Sequence, residues 1–219
     1  MADERDQALL TTLTTEHFTL QGARSQTVSE TMGRSALYLG SLSSALIALG
    51  FVSQASGSGD LFDVFTLIVL PTVYVLGIFT FVRLVELSVE DVFYGRAINR
   101  IRHYYLERAG EDARYFLMSG HDDAPGVLRN MGITVTRWQL YFTASAAIAV
   151  VNSIVGGTAA AFAVDVAFDP PLVVSIAAGA LVALASFVLH LRVDRTRHEK
   201  GVAIEPLFPT PPGRAATAG

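Results

Sequence analysis

The sequence predicts an all-α integral membrane protein: a four-helix bundle with a long second helix extended into the cytoplasm and a small cytoplasmic helical region. Three observations predict it. No Lys or Arg occurs between Arg34 and Arg83 or between Arg137 and Arg192, and each stretch has room for two apolar spans of roughly 20 residues and a turn. Hydrophobic residues make up 51% of the chain and charged residues 16%, against about 25% charged in soluble domains, and mean hydropathy is +0.43. Helical spacing then continues well past Arg83 without interruption.

Residues 1–34 form the N-terminal region. The first nine read as disordered, and from Leu10 the string through Phe18, Leu20, Val28 and Met32 has the spacing of an amphipathic helix. Its polar face lacks the Lys and Arg of a lipid-binding helix, so docking against protein is expected. Residues 35–84 form the first transmembrane hairpin. Gly40, Ser44 and Ala48 recur every four positions along its first span, a pattern that lets helices approach closely. The Gly- and Ser-rich run from Gln54 to Asp60 supplies the turn, and the second span starts near Phe62.

Residues 85–137 form the cytoplasmic helical region. From Arg83 to Arg108 there is no Pro and one Gly, Gly95, so a single helix is expected over 64–108. Leu84, Leu87, Asp91, Tyr94, Ile98, Ile101 and Tyr105 alternate by three and four, a heptad-like seam interrupted by Asp91. Leu84, Leu87, Tyr94, Ile98 and Ile101 are one candidate for the contact between subunits, and the small-residue stripes of the spans are the competing one. After Gly110 the chain becomes irregular, with a turn-rich loop from Ser119 to Gly126 and then a short amphipathic helix.

Residues 138–192 form the second hairpin, entered where Arg137 and Trp138 mark the interface. The third span, 139–164, carries Ser145, Ala149, Ser153, Gly157 and Ala161 at fourfold spacing, and the fourth, 172–191, repeats it with Ser175, Gly179 and Ala183. The turn between them is expected over 165–171. Residues 193–219, with four prolines from Pro206 onward, read as a disordered cytoplasmic tail.

All 16 basic residues fall outside the hairpins, which by the positive-inside rule puts both termini and the middle region in the cytoplasm. Asp60, Asp63, Asp165 and Asp169 occupy the opposite turns, so the net charge of −4 sits on the outer face. The preferred reading of these four is solvated turn residues. Interleaved acids and a pI near 5.7 argue against a nucleic-acid partner. The chain lacks cysteine, and its acidic start lacks the basic and apolar segments of a cleavable signal, so the first span is expected to direct insertion itself. Arg outnumbers Lys 15 to one, which suggests a GC-rich bacterial gene and a bacterial plasma membrane.

Polar residues at mid-span depth are the first candidates for chemistry: Ser44 in the first span, Pro71, Thr72 and Tyr74 in the second, and Asn152 in the third. Pro71 leaves the carbonyl of Leu67 without its helical donor, and Asn152 or Thr72 is expected to satisfy it. Such a layer serves either as interhelical glue, the commoner role, or as the lining of a permeation path. No ionised residue lies mid-span, which argues against a proton-coupled pump. Arg96, Arg100, Arg102 and Tyr104 form a dense cluster suited to a phosphate-bearing anion, although headgroup contact and ion pairing account for it as well. His190 reads as an interfacial histidine and His121, Asp122 and Asp123 as a turn. No HExxH, G-x-S-x-G or phosphate-loop pattern occurs, so no catalytic activity, cofactor or metal is expected.

The segments Thr14–Ser25, Gly33–Gly40 and Arg96–Tyr105 resemble those of a broad group of uncharacterised four-span proteins of GC-rich, actinobacteria-like bacteria, over roughly residues 14–160. The resemblance implies topology and source and transfers no functional residue. A looser architectural similarity links the chain to small membrane effector modules of bacterial defence systems. The leading functional expectation is an oligomeric pore or channel-like protein with cytoplasmic gating or sensing helices. The alternative is a non-conducting membrane scaffold or signalling adaptor that recruits a cytoplasmic partner. Both expect the lipid bilayer and further copies of the chain as partners.

Overall fold

A computed structural model describes residues 2–55, 59–132, 143–201 and 204–211. The helices are α1 (Ala2–Ala55), α2 (Gly59–Ala109), α3 (Ala124–Asn130), α4 (Ala144–Phe168) and α5 (Leu172–Gly201), with a 3-10 turn at Gly110–Tyr115. No strand occurs among the described residues. α1, α2, α4 and α5 are long and apolar enough to cross a membrane, and the chain is a multi-pass membrane protein.

α1 is one helix of 54 residues that takes in residues 2–9, within the stretch expected to be disordered. Asp3 and Glu4 suit its positive N-terminal dipole, and the hydroxyls of Thr11, Thr12, Thr14, Thr15 and Thr19 donate to carbonyls one turn back. α2 runs unbroken for 51 residues with Pro71 inside it and stops where Gly110 takes a left-handed φ of 52°. Asp123 caps α3, accepting from the Gly126 N–H at 2.9 Å, and Thr143 caps α4. Residues 133–142 lie outside the described part, and with them the expected interface pair Arg137 and Trp138.

Two boundaries differ from expectation for identifiable reasons. α4 continues past Val164 to Phe168 and ends on Asp169, whose φ of 42° is left-handed, before Pro170 and Pro171 prevent continuation. Asp165 is therefore helical, and its carboxylate accepts from the Ser175 hydroxyl at 3.0 Å. α5 continues through the basic stretch to Gly201, ten residues beyond the span expected from apolarity, because charge ends a membrane span and not a helix.

The chain divides into two compact units. The apolar unit comprises Thr31–Glu86 and Tyr141–Arg197, and the polar unit comprises Met1–Glu30, Leu87–Leu140 and His198–Gly219. In the apolar unit, α4 and α5 meet along the fourfold stripes read from the sequence. A Cβ added at Gly157 would lie 2.6 Å from the Gly179 carbonyl oxygen and 2.7 Å from the Ala183 Cβ, and one at Gly179 would meet Gly157 and Ala161 equally closely. The two backbones touch, which only small residues allow. The α1 stripe is different: Gly40 and Ser44 are exposed, and nothing lies within 4 Å of a Cβ built at Gly40.

In the polar unit the early part of α1 packs on α2. Arg24 grips Asp91 with two bonds, Nε to Oδ1 at 2.9 Å and Nη2 to Oδ2 at 3.0 Å, so the polar break in the seam is an ion-pair site. Tyr104 and Arg108 both reach Asp6, and Tyr105 reaches Thr14. The α2 seam is largely consumed inside the chain: in this unit Leu87, Ile98 and Ile101 are buried and Tyr94 is half-buried, and Leu84, which belongs to the apolar unit, is buried as well. These residues are not a free face for a second subunit. Their apolar spacing is the ordinary spacing of a helix packed against its own chain.

Candidate functional site

Two clusters of polar side chains stand out, one in each unit. In the apolar unit Asn152 is 0% exposed and Tyr38 is 1% exposed, and the Tyr38 hydroxyl donates to Asn152 Oδ1 at 3.0 Å. Asn152 Nδ2 has no partner among the described residues. Gly77 makes the arrangement possible, since a Cβ there would fall 1.9 Å from Asn152 Oδ1 and 2.8 Å from the Tyr38 ring. A second chain of bonds joins α2, α4 and α5: Tyr74 Oη meets Ser186 Oγ at 2.9 Å, and the Ser153 hydroxyl lies 2.7 Å from the Ala149 carbonyl and 3.4 Å from Ser186. His190 Nδ1 lies 2.7 Å from the Ser186 carbonyl, so that nitrogen carries the proton and donates. The Phe81 ring packs edge-on against His190 at 4.4 Å.

The structure therefore brings Tyr74 and Asn152 into buried contacts but leaves the other midplane candidates aside. Ser44, Pro71 and Thr72 are exposed, and the Thr72 hydroxyl donates to Ile68 at 2.7 Å, so neither Thr72 nor Asn152 bonds the Leu67 carbonyl. Tyr38, Gly77 and Ser186 complete these contacts without belonging to any motif in the sequence. A tyrosine and a lone glycine facing an asparagine across two other spans were the available signal.

In the polar unit the second cluster surrounds the loop before α3. Asn99 donates to the His121 carbonyl at 2.8 Å, while Arg102 and Asn130 both donate to Asn99 Oδ1, at 2.9 and 2.8 Å. Asn130 also clamps Ser119 by its backbone N–H and its carbonyl. Gly120 lets the loop lie on α2, where a Cβ would come 3.0 Å from the His103 Cα. Asp122, 0% exposed, is held by Arg100, whose Nε donates to Oδ2 at 2.8 Å. Arg96 donates to the carbonyls of Asp122 and Ile204.

The chain from Ile204 to Pro211, expected as part of a disordered tail, lies on this loop. Asp122 accepts from the backbone N–H groups of Leu207 and Phe208 at 3.1 and 2.7 Å, and the Phe208 carbonyl accepts from the Asp122 N–H at 3.1 Å. Asp123 accepts from the Thr210 N–H and hydroxyl at 2.7 and 2.8 Å. The Phe208 ring stacks on His103 with centroids 3.7 Å apart. Burial raises the pKa of Asp122 and Asp123, yet the bonds from Phe208, Arg100 and Leu207 to the first, and from Thr210 and Gly126 to the second, hold both below 3.8. His17 is lowered by burial and by the charge of Arg102.

The predicted anion cluster is thus spent on the protein itself. Arg96, Arg100 and Arg102 hold the loop, and Tyr104 donates to Asp6 at 2.9 Å. Among the described residues no group of His, Asp and Glu is placed to hold a metal ion. Comparison of the chain with known protein families, characterised proteins and solved structures finds no match.

Proposed function

We propose that the chain is a non-conducting membrane scaffold or signalling adaptor, in which the apolar unit is the anchor and the polar unit recruits a protein partner without any catalytic step. The observation that carries this reading is the buried polar layer: Asn152, Ser153 and Ser186 are buried, and Tyr38 and Tyr74 bond to Asn152 and Ser186 across the helices. Polar residues used in this way hold helices together, at about 0.6 kcal/mol per bond. The charge pattern supports an orientation with both termini and residues 85–137 in the cytoplasm, and the excess of Arg over Lys supports a bacterial plasma membrane.

Self-association belongs to the same proposal. Of the four candidate spans, the one in α1 is the least covered, 11% of it being buried inside the chain, and its exposed Gly40 and Ser44 suit a close helix contact between copies. The oligomeric pore with gating helices draws its support from the same exposed face, where Ser43 and Ser44 would be wetted only by a passage between chains. Ion flux through liposomes holding the purified protein separates the two: the scaffold carries none, and a flux above that of empty liposomes overturns it.

A further inference from the structure

We propose that the loop and helix surface under the tail is a peptide-recognition groove, and that residues 204–211 occupy it in cis in place of a proline-flanked aromatic peptide from a partner protein. This rests on the scaffold reading and names the chemistry of the partner.

The tail is held by its backbone. Between Pro206, Pro209 and Pro211, which have no N–H, the chain offers three N–H groups, those of Leu207, Phe208 and Thr210, and Asp122 or Asp123 takes each of them. Two carboxylates below α2 thus read a register: N–H, N–H, proline, N–H. The one large side chain the groove grips is Phe208, stacked on His103, whereas Leu207 is 63% exposed. A segment of the form Pro-x-aromatic-Pro-x therefore satisfies the three backbone N–H contacts and the aromatic stack, leaving out the Thr210 hydroxyl and the Ile204 carbonyl held by Arg96. Proline also holds such a segment extended before binding, which lowers the entropy lost on docking.

The floor of the groove is fixed without help from the tail. Asn99, Asn130 and Ser119 bond one another and set the loop, Arg100 places Asp122, and the Asp123 side chain caps α3. Two residues, Val202 and Ala203, join Gly201 to Ile204, and Gly201 lies against Val89 of the same unit. So short a tether confines the tail to its own groove and makes exchange of tails between copies a poor competitor. The occupant in trans is a free terminus or loop of a different polypeptide. Few apolar contacts hold the tail, so its release requires only a local opening.

The test uses the full chain in detergent and a fluorescent peptide of sequence Ile-Glu-Pro-Leu-Phe-Pro-Thr-Pro, read by anisotropy. Phe208→Ala in the protein removes the stack of its own tail, and this variant is expected to bind the peptide about tenfold or more tighter than the unaltered chain does. Adding Asp122→Asn or, as a second variant that spares the buried carboxylate, His103→Ala returns binding to the level of the unaltered chain or below. Equal binding by Phe208→Ala and the unaltered chain, or equal binding of a peptide with the same residues in scrambled order, overturns the groove. Conduction in liposomes would overturn the scaffold reading and leave this result standing, so the two failures are distinguishable.

Discussion

At the scale of single residues, Gly77 decides whether the buried polar layer forms. Gly77→Ala puts a methyl group where Asn152 Oδ1 now lies, and overpacking of this kind costs about 1–3 kcal/mol. Asn152→Ala costs less, since it leaves only the Tyr38 hydroxyl unpaired, and the double variant is expected to be more stable than Gly77→Ala alone, because the closest of the clashes is then removed and only the Tyr38 ring remains against the new methyl. Thermal melting in detergent reads both. Asp122 and Asp123 supply a pH dependence of known sign. Their folded pKa values lie below the ordinary 3.8, so the stability they add is fully present above that pH and is lost as pH falls through the folded values. Acidification through those folded values is therefore expected to free the tail, which limited proteolysis near Ile204 would detect. Protection unchanged down to the pH of global unfolding would contradict this. The sequence did mark Asn152 as needing a partner, but its partner Tyr38 lies 114 positions away, and only the packed helices bring the two together.

At the scale of elements, the fourfold stripes were legible and their uses were not. The pattern is the same in α1, α4 and α5, yet α4 and α5 meet backbone to backbone while Gly40 and Ser44 of the α1 stripe are exposed. The two therefore respond oppositely to a large side chain. Gly157→Ile is expected to destabilise the monomer fold by several kcal/mol, because its Cβ would overlap Gly179 and Ala183, whereas Gly40→Ile leaves the melting temperature of the monomer unchanged and shifts self-association in light scattering. Equal melting temperatures for the two variants would refute the assignment. The heptad-like seam misled in a related way: Leu84, Leu87, Ile98 and Ile101 have the spacing of a subunit contact, but any helix buried along one side has it too. The tail misled through its composition. Four prolines remove the means to form helix or sheet, yet the N–H groups left between them are what the two carboxylates bind.

At the scale of the whole molecule, the absence of base from two long stretches is enough to give four spans, because a spanning helix must satisfy its own backbone and exclude charge. Function is less legible for a physical reason: polar residues at mid-span read the same whether they face each other or face water. Tyr38 and Asn152 face each other. The most direct test of a sealed scaffold is ion flux in liposomes containing the purified chain, with potassium, sodium, proton and chloride gradients, at neutral and mildly acidic pH and under both polarities of potential. The account predicts no flux above that of protein-free liposomes under any of these conditions. A conductance that Asn152→Leu abolishes while the helices and the oligomer remain intact would contradict it.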